Sequence, residues 1–197
     1  MANILYTYQD SVYANITNKC NCRCTFCIRF LKDGVGNADT LWHQVNPSKE
    51  KVIEAIRNYD FTGYKELVFC GYGEPTCALD ILLDAARVAK EEKGLKTRVN
   101  TNGLGSAENG HDIVPELAKV IDSVSISLNA PSAEEYREVT RPQIDNAFDT
   151  MVSFAKECLS VIPEVKWSIV DVIPEEEIER CKKLSEETGI PLRIRHF

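Results

Sequence analysis

Strand-forming runs alternate with helical patterns along nearly the whole chain, and this alternation predicts an α/β fold. Its expected form is a partial (β/α)6 TIM-like barrel with parallel strands. Three observations point there. Strand, helix and strand in succession give parallel pairing with right-handed crossovers. About six strand runs can be read, with no internal repeat or low-complexity linker between them. At 197 residues the chain suits one domain, residues 1–197, and falls short of the ~250 residues of a complete eight-stranded barrel. A flat, doubly wound sheet fits the same periodicity and stands as the alternative.

The elements follow in order. Ser11 to Thr17 reads as the first strand and stops at a cysteine-rich loop. A long polar connection, Phe30 to Asn46, contains Gly34 and Gly36. Pro47 to Tyr59 is helical, with Val52, Ile53, Ile56 and Tyr59 on one face and proline in its first turn. Glu66 to Cys70 is the second strand. Leu79, Leu82, Leu83, Ala86 and Ala89 mark a helix that Gly94 closes. Lys96 to Asn100 is the third strand, Ile113 to Val120 a shorter helix, and Ser123 to Leu128 the fourth strand. Phe148, Met151, Val152, Ala155, Cys158 and Leu159 form another helical stripe. Val165 to Asp171 is strand five. Pro174 to Thr188 is a helix ending at Gly189, and Pro191 to Arg195 is strand six.

Composition removes several classes of function. Hydrophobic residues at 44% and charged residues at 27% describe an ordinary soluble globule. A net charge of -7 argues against broad nucleic-acid binding, which needs clustered Lys and Arg. No apolar run approaches the ~20 residues of a membrane span, and Met1 to Asp10 lacks the parts of a signal peptide. A cytoplasmic location is expected. In that reducing compartment, eight cysteines suggest metal or redox chemistry before disulfides.

Four of those cysteines lie between Cys20 and Cys27, and three have the spacing Cys20-x3-Cys24-x2-Cys27. So short a loop can bring three thiolates to one place. The other unusual residues also sit where strands end and loops begin, the side on which such folds build their sites. The second strand ends in Gly71-Tyr72-Gly73-Glu74-Pro75 and the third in Asn100-Thr101-Asn102-Gly103. Ser125, Ser127 and Asn129 have period two in the fourth strand and share a side. A [4Fe-4S] cluster normally takes one thiolate per iron. Three thiolates leave one iron open to another ligand.

Cys20-x3-Cys24-x-Phe26-Cys27 resembles the signature of radical S-adenosylmethionine (SAM) enzymes. The Gly71–Pro75 stretch is similar to that superfamily's Gly-Gly-Glu motif, with Tyr72 between the glycines. The likeness is closer to the small radical SAM proteins associated with TatD-type nucleases. It runs through Phe26-Cys27-Ile28-Arg29, Val68 to Cys77, Asn100 to Leu104 and Val124 to Pro131. The resemblance implies that Cys20, Cys24 and Cys27 ligate a [4Fe-4S] cluster whose fourth iron binds SAM. Phe26 would lie beside the adenine, and Gly73 and Glu74 would receive the methionine amino group. Asn102, Ser127 and Asn129 would hold ribose hydroxyls or the carboxylate, which Arg141 could also pair. It implies reductive cleavage of SAM to a 5'-deoxyadenosyl radical that abstracts hydrogen from an unidentified substrate, small molecule or protein. It further implies an electron donor such as flavodoxin or ferredoxin, and association with a TatD-type nuclease.

Other readings of these residues stand beside that one. Cys22 could complete a zinc site, although no second cysteine pair follows, and Cys24 with Cys27 could form a thiol-redox pair, which leaves Cys20 and the Gly-Glu-Pro loop unexplained. A glycyl-radical-type activase and a non-catalytic iron-sulfur or zinc binding module remain as alternative functions. Cys22 is expected to be a bystander, Cys158 and Cys181 core, and Cys70 and Cys77 structural. The acidic start of the last helix suits the helix dipole. Trp42 and His43 could belong to a lid. Arg98, Arg193 and Arg195 would suit an anionic substrate if they face the barrel mouth, although surface placement is expected for at least one of them.

Overall fold

The computed structural model describes residues 2–196. Seven strands form one sheet in strict chain order: β1 (Leu5–Tyr8), β2 (Ser11–Ala14), β3 (Glu66–Phe69), β4 (Lys96–Thr101), β5 (Ser123–Ser127), β6 (Glu164–Val170) and β7 (Leu192–Arg195). β1 pairs antiparallel with β2, and each later neighbouring pair is parallel. A doubly wound sheet would reverse its strand order at a switch point. The sequential order removes that alternative and gives the expected partial barrel, open between β1 and β7.

Among the described residues seven α-helices fill the connections: α1 (Lys49–Asn58), α2 (Leu79–Glu91), α3 (Gly105–Asn109), α4 (Val114–Val120), α5 (Ala133–Thr140), α6 (Ala147–Val161) and α7 (Glu175–Thr188). The six parallel strands lie where the periodicity puts them, within a few residues. The antiparallel β1 is an addition to the expected fold, so the sheet is not wholly parallel. The expected strand from Ser11 to Thr17 ends earlier, at Ala14. Pro47 stands before the α1 cap rather than inside its first turn, since Ser48 is the N-cap and accepts from the Lys51 amide.

Strand alternation divides the sheet into two unlike faces. On the helix side lie Leu67, Phe69, Val99, Val124, Ile126, Trp167 and Ile169, all fully buried. Burying each such side chain contributes about 1.5–3 kcal/mol before conformational entropy is subtracted. The concave side carries Glu66, Arg98, Asn100, Ser125, Ser127, Lys166, Ser168, Arg193 and Arg195, in register across the strands. Cys158 and Cys181 are buried in the apolar core, as their helical stripes indicate.

Gly189 ends α7 in the left-handed region, at φ 68°. A Cβ there would meet nothing within 4 Å, so only backbone conformation opposes a side chain. Gly189→Ala is expected to cost about 1 kcal/mol, measured by denaturant unfolding. An unchanged midpoint would show that the turn does not require this conformation.

Candidate active site

The cysteine loop leaves the C-terminal end of β2 and is clamped by distant parts of the chain. The Arg23 amide donates to the Thr140 carbonyl at 2.9 Å, and the Thr25 amide to the Val139 carbonyl at 2.9 Å. Both acceptors belong to the last turn of α5, whose free carbonyls find their partners here. The Glu74 amide donates to the Lys19 carbonyl at 2.8 Å, and the Gln143 amide to that of Asn21 at 2.9 Å. Within the loop, the Cys27 amide donates to the Cys24 carbonyl at 3.2 Å.

Cys20, Cys24 and Cys27 are half-buried and Cys22 is buried, and none is in a disulfide. Burial pushes the Cys20 thiol up to about 12 and raises that of Cys27. The Cys22 thiol hydrogen-bonds Cys24, which holds Cys24 below the ordinary thiol range and raises Cys22. Cys22 packs into the main core, 3.5 Å from Asn102 Nδ2. Its surroundings are those of a packed side chain.

The Gly71–Pro75 loop crosses directly over this segment. A Cβ on Gly73 would lie 2.3 Å from the Thr17 carbonyl oxygen and 2.7 Å from that of Lys19. One on Gly71 would lie 2.1 Å from Asn15 Oδ1. Tyr72 points away, buried, with its hydroxyl donating to the Lys32 carbonyl. Both glycines are therefore set by close approach to the β2–cysteine segment, and the residue between them is free to be large. Gly73→Ala must displace backbone and is expected to cost about 1–3 kcal/mol and to lower retained iron. Thermal melting with an iron assay checks this, and wild-type values in both would refute the packing argument.

Glu74 is the most constrained side chain of the site. It is 4% exposed. Its Oε1 accepts from the Thr76 amide (3.1 Å), Thr76 Oγ1 (2.8 Å) and Thr101 Oγ1 (2.7 Å), and its Oε2 from the Asn102 amide (2.8 Å). Burial raises its pKa despite these donors. Among the described residues it has no Lys, Arg or His partner. The carboxylate thus braces the ends of β3 and β4 and lacks a cation.

Asn102 is also committed within the protein: Nδ2 donates to Asn21 Oδ1 at 2.6 Å, and Oδ1 accepts from the Leu104 amide at 3.0 Å. Asn129 differs. It follows β5 by two residues, in the left-handed region at φ 58°, and its buried Oδ1 has no partner. Ser127, one alternation earlier, is half-buried, as is Phe26 just after the Thr25 clamp. Arg141 caps α5, also left-handed at φ 46°, and is exposed.

Three further contributors are assigned no role from the sequence, although Arg29 falls inside the Phe26–Arg29 stretch. The buried Tyr136 of α5 lies near Cys22 and Cys24, and its hydroxyl has no partner. Its only advance signal is the Ser132-x-x-Glu135 capping box opening α5, with Ser132 Oγ donating to Glu135 Oε2 at 2.6 Å. The Arg29 guanidinium lies near Cys20, Cys24 and Cys27, faces the rings of Phe30 and Trp42, and keeps a buried Nε without partner. Buried Asn15 ties β2 to the long loop, donating to the Leu41 carbonyl at 2.7 Å. His43 is held in the same knot, its Nε2 2.9 Å from the Asn15 carbonyl. Burial lowers its pKa. Trp42 rests edge-on against Tyr72, with ring centroids 5.3 Å apart. The loop is thus packed along β1 and β2.

Two cavities of ≈ 720 and ≈ 470 Å³ lie at the other end of the sheet, lined by residues such as Lys65, Glu66, Lys96, Asp122 and Glu164 at or before the starts of strands. They are remote from the cysteine loop. No group of three or more His, Cys, Asp or Glu among the described residues is drawn close enough for one metal ion. A single ion with Zn–S bonds of about 2.3 Å needs its thiolates within about 4 Å of one another, while a cubane takes one thiolate at each iron. Three unpaired thiols on one clamped loop, beside a buried carboxylate lacking a cation, fit a cluster and an ammonium-bearing ligand.

An open parallel barrel with a three-thiol loop after its first parallel strand defines a cofactor-dependent enzyme of the partial-barrel class. The chain matches the family described as "Radical SAM superfamily" over residues 14–187. It belongs to that superfamily, whose enzymes use a [4Fe-4S] cluster and SAM. It is 30% identical over 133 residues to a GTP 3',8-cyclase of Limosilactobacillus fermentum, covering 67% of this chain and 37% of that protein. It is 28% identical over 174 residues to a putative glycyl-radical enzyme activating enzyme of Methanocaldococcus jannaschii, covering 83% of this chain and 64% of that one. The chain therefore spans less than two thirds of either relative. Among solved structures, Streptococcus suis SuiB bound to S-adenosylmethionine has a TM-score of 0.66 at 22% identity, over 94% of this chain and 38% of SuiB. Methylornithine synthase has 0.66 at 15%, over 94% and 52%. These likenesses concern the fold.

Proposed function

We propose that residues 1–197 form one radical SAM core, in which Cys20, Cys24 and Cys27 hold a [4Fe-4S] cluster and SAM binds at the iron left open. The observation that carries this reading is the pairing of three half-buried thiols on one clamped loop with Glu74, a buried carboxylate without a cation. The chemistry supplied by the bound cofactors is one-electron cleavage of SAM to methionine and a 5'-deoxyadenosyl radical, which takes hydrogen from the substrate. This chain's residues bind and orient. The loop of Gly73 and Glu74 receives the methionine ammonium, an arrangement of opposite charge and carbonyl edge. The free Oδ1 of Asn129 accepts from a ribose hydroxyl, with Ser127 beside it, while Asn102 orders the loop from below. Phe26 and Tyr136 flank the ligand and limit water.

A second reading, an activase that installs a glycyl radical on a partner protein, has specific support in the relative of that name, which matches 83% of this chain. The concave face, open between β1 and β7, would admit a protein loop. An electron donor such as flavodoxin or ferredoxin would serve either reading, and the likeness to TatD-associated proteins supports a nuclease partner. Eight free cysteines agree with the cytoplasmic placement we assign. No helix among the described residues is long and apolar enough to cross a membrane.

Anaerobically purified protein is expected to be brown, to contain about four irons, and to release 5'-deoxyadenosine from SAM on reduction. A colourless zinc protein would overturn the proposal. Glycyl-radical EPR signal on a co-expressed partner would favour the activase.

A further inference from the structure

The concave face is cationic in a chain that is anionic overall. It carries Lys96, Arg98, Lys166, Arg193 and Arg195, against Glu66 and Glu164. Both carboxylates are already paired, Glu66 with Arg98 at 2.9 Å and Glu164 with Lys96 at 2.5 Å. Lys166, Arg193 and Arg195 form no ion pair with a carboxylate among the described residues. Strand register sets their heights: Lys166 is level with Ser125, Arg193 with Ser168 and Ser127, and Arg195 with Val170. Arg193 and Arg195 therefore rise toward the strand ends that carry the cysteine loop and Asn129.

Lys166 is half-buried, whereas Arg193 and Arg195 are exposed on the edge strand β7, so the surface placement expected for at least one of the arginines holds for both. Arg195 lies at the open rim of β7, and its charge interacts across the mouth with Cys70, Tyr13 and Tyr8 as well as with Arg193. Desolvation of its guanidinium lowers its pKa, and the Arg193 charge adds to that. Two like charges side by side on one strand favour an anion between them, and their strand positions fix them there. The same face keeps polar atoms without partners: Nε of Arg98, itself 8% exposed, and Oδ1 of Asn100. Guanidinium groups match the planar oxygen pairs of carboxylates and phosphates.

We propose that the substrate of this site is a small polyanion, bearing phosphate or several carboxylates, whose acidic end is held by Arg193, Arg195 and Lys166. The acidic end then lies toward β6 and β7, while the carbon that loses hydrogen faces the C-terminal ends of β2 and β3. Asn100 accepts a hydrogen bond from a substrate hydroxyl or amine. This inference rests on the radical SAM reading above and concerns the substrate half of the same site.

The test is calorimetric titration of anaerobic, cluster-loaded protein at ~0.15 M salt, where loose surface attraction is screened. The probes are inorganic pyrophosphate, citrate and acetate. Saturable binding of pyrophosphate or citrate is expected, with acetate much weaker; the tighter polyanion distinguishes a phosphate from a polycarboxylate substrate. Arg193→Gln with Arg195→Gln should weaken that binding at least tenfold, and Lys166→Gln several-fold, with iron content and circular dichroism verifying the fold. If the double variant does not fold, Lys166→Glu takes its place and should abolish binding. Absence of saturable polyanion binding, or equal affinity in the folded variants, overturns the inference. Polyanion binding through these residues in a protein that holds no iron would overturn the cofactor assignment and leave this inference standing.

Discussion

Replacement of Cys20, Cys24 or Cys27 by alanine is expected to abolish the iron content of the anaerobic protein, whereas Cys22→Ala should retain it. A cluster held by three thiolates has no spare protein ligand, and removal of one leaves two irons open. Metal binding is also folding free energy for the loop that carries the ligands, so each of the three variants should lose the visible absorption and melt earlier when reconstituted. Cys22 occupies a different environment. It is 3% exposed, packed in the main core and hydrogen-bonded to Cys24. Truncation there should cost about 1 kcal/mol and leave the iron count near wild type. Iron analysis with ultraviolet–visible spectra decides the matter; an iron-free Cys22→Ala beside an iron-loaded Cys20→Ala would reverse the ligand assignment.

Glu74→Ala should produce the largest loss of stability of any substitution in the site. Four donors converge on the carboxylate, and alanine leaves three buried donors and the half-buried Asn102 amide without that acceptor. Unsatisfied buried groups of this kind should cost about 3 kcal/mol or more, a fall of roughly 6–12 °C in Tm for a chain of this size. Glu74→Gln separates the bracing role from the ligand role. Its carbonyl can still serve the Thr76 and Thr101 donors, while its amide turns a donor toward the Asn102 amide. Part of the stability should return. Affinity for SAM should stay at least tenfold down, equivalent to about 1.4 kcal/mol, because the ammonium has lost its carboxylate. Thermal melts and equilibrium dialysis with SAM test the pair, and a Gln variant with wild-type SAM affinity would remove Glu74 from the ligand-binding set.

The parallel strands were legible as β-branched and apolar runs, as in Glu66 to Phe69 or Glu164 to Val170, or as apolar–polar alternation, as in Leu192 to Arg195, bounded by turn chemistry. β1 was not. Its sequence, Leu-Tyr-Thr-Tyr, is only four residues long, and the hairpin turns through Gln9 at φ 51°. Glycine, asparagine or aspartate normally signals such a turn, and glutamine gives no warning. α5 carried a readable capping box but is eight residues of mixed charge with a weak apolar stripe. Within the site, spacing alone indicated the three cysteines. The roles of Asn15, Arg29 and Tyr136 arise from tertiary contacts between segments far apart in sequence, and no local pattern encodes them. The paired state of Glu66 and Arg98 is of the same kind, since their 32-residue separation becomes a 2.9 Å contact only through strand register.

The clamp on the cysteine loop also fixes an order of events in the life of the chain. The loop is synthesised well before the α5 carbonyls that hold it: Thr25 and Val139 are 114 residues apart. Until that distant segment is made and docked, the thiols sit on a tether rather than in a frame. On the cluster assignment proposed above, maturation should therefore follow the making of α5, with metal delivered to a folded acceptor rather than to a nascent one. A fragment ending before residue 139 would retain the whole cysteine motif and lack the support that sets its geometry.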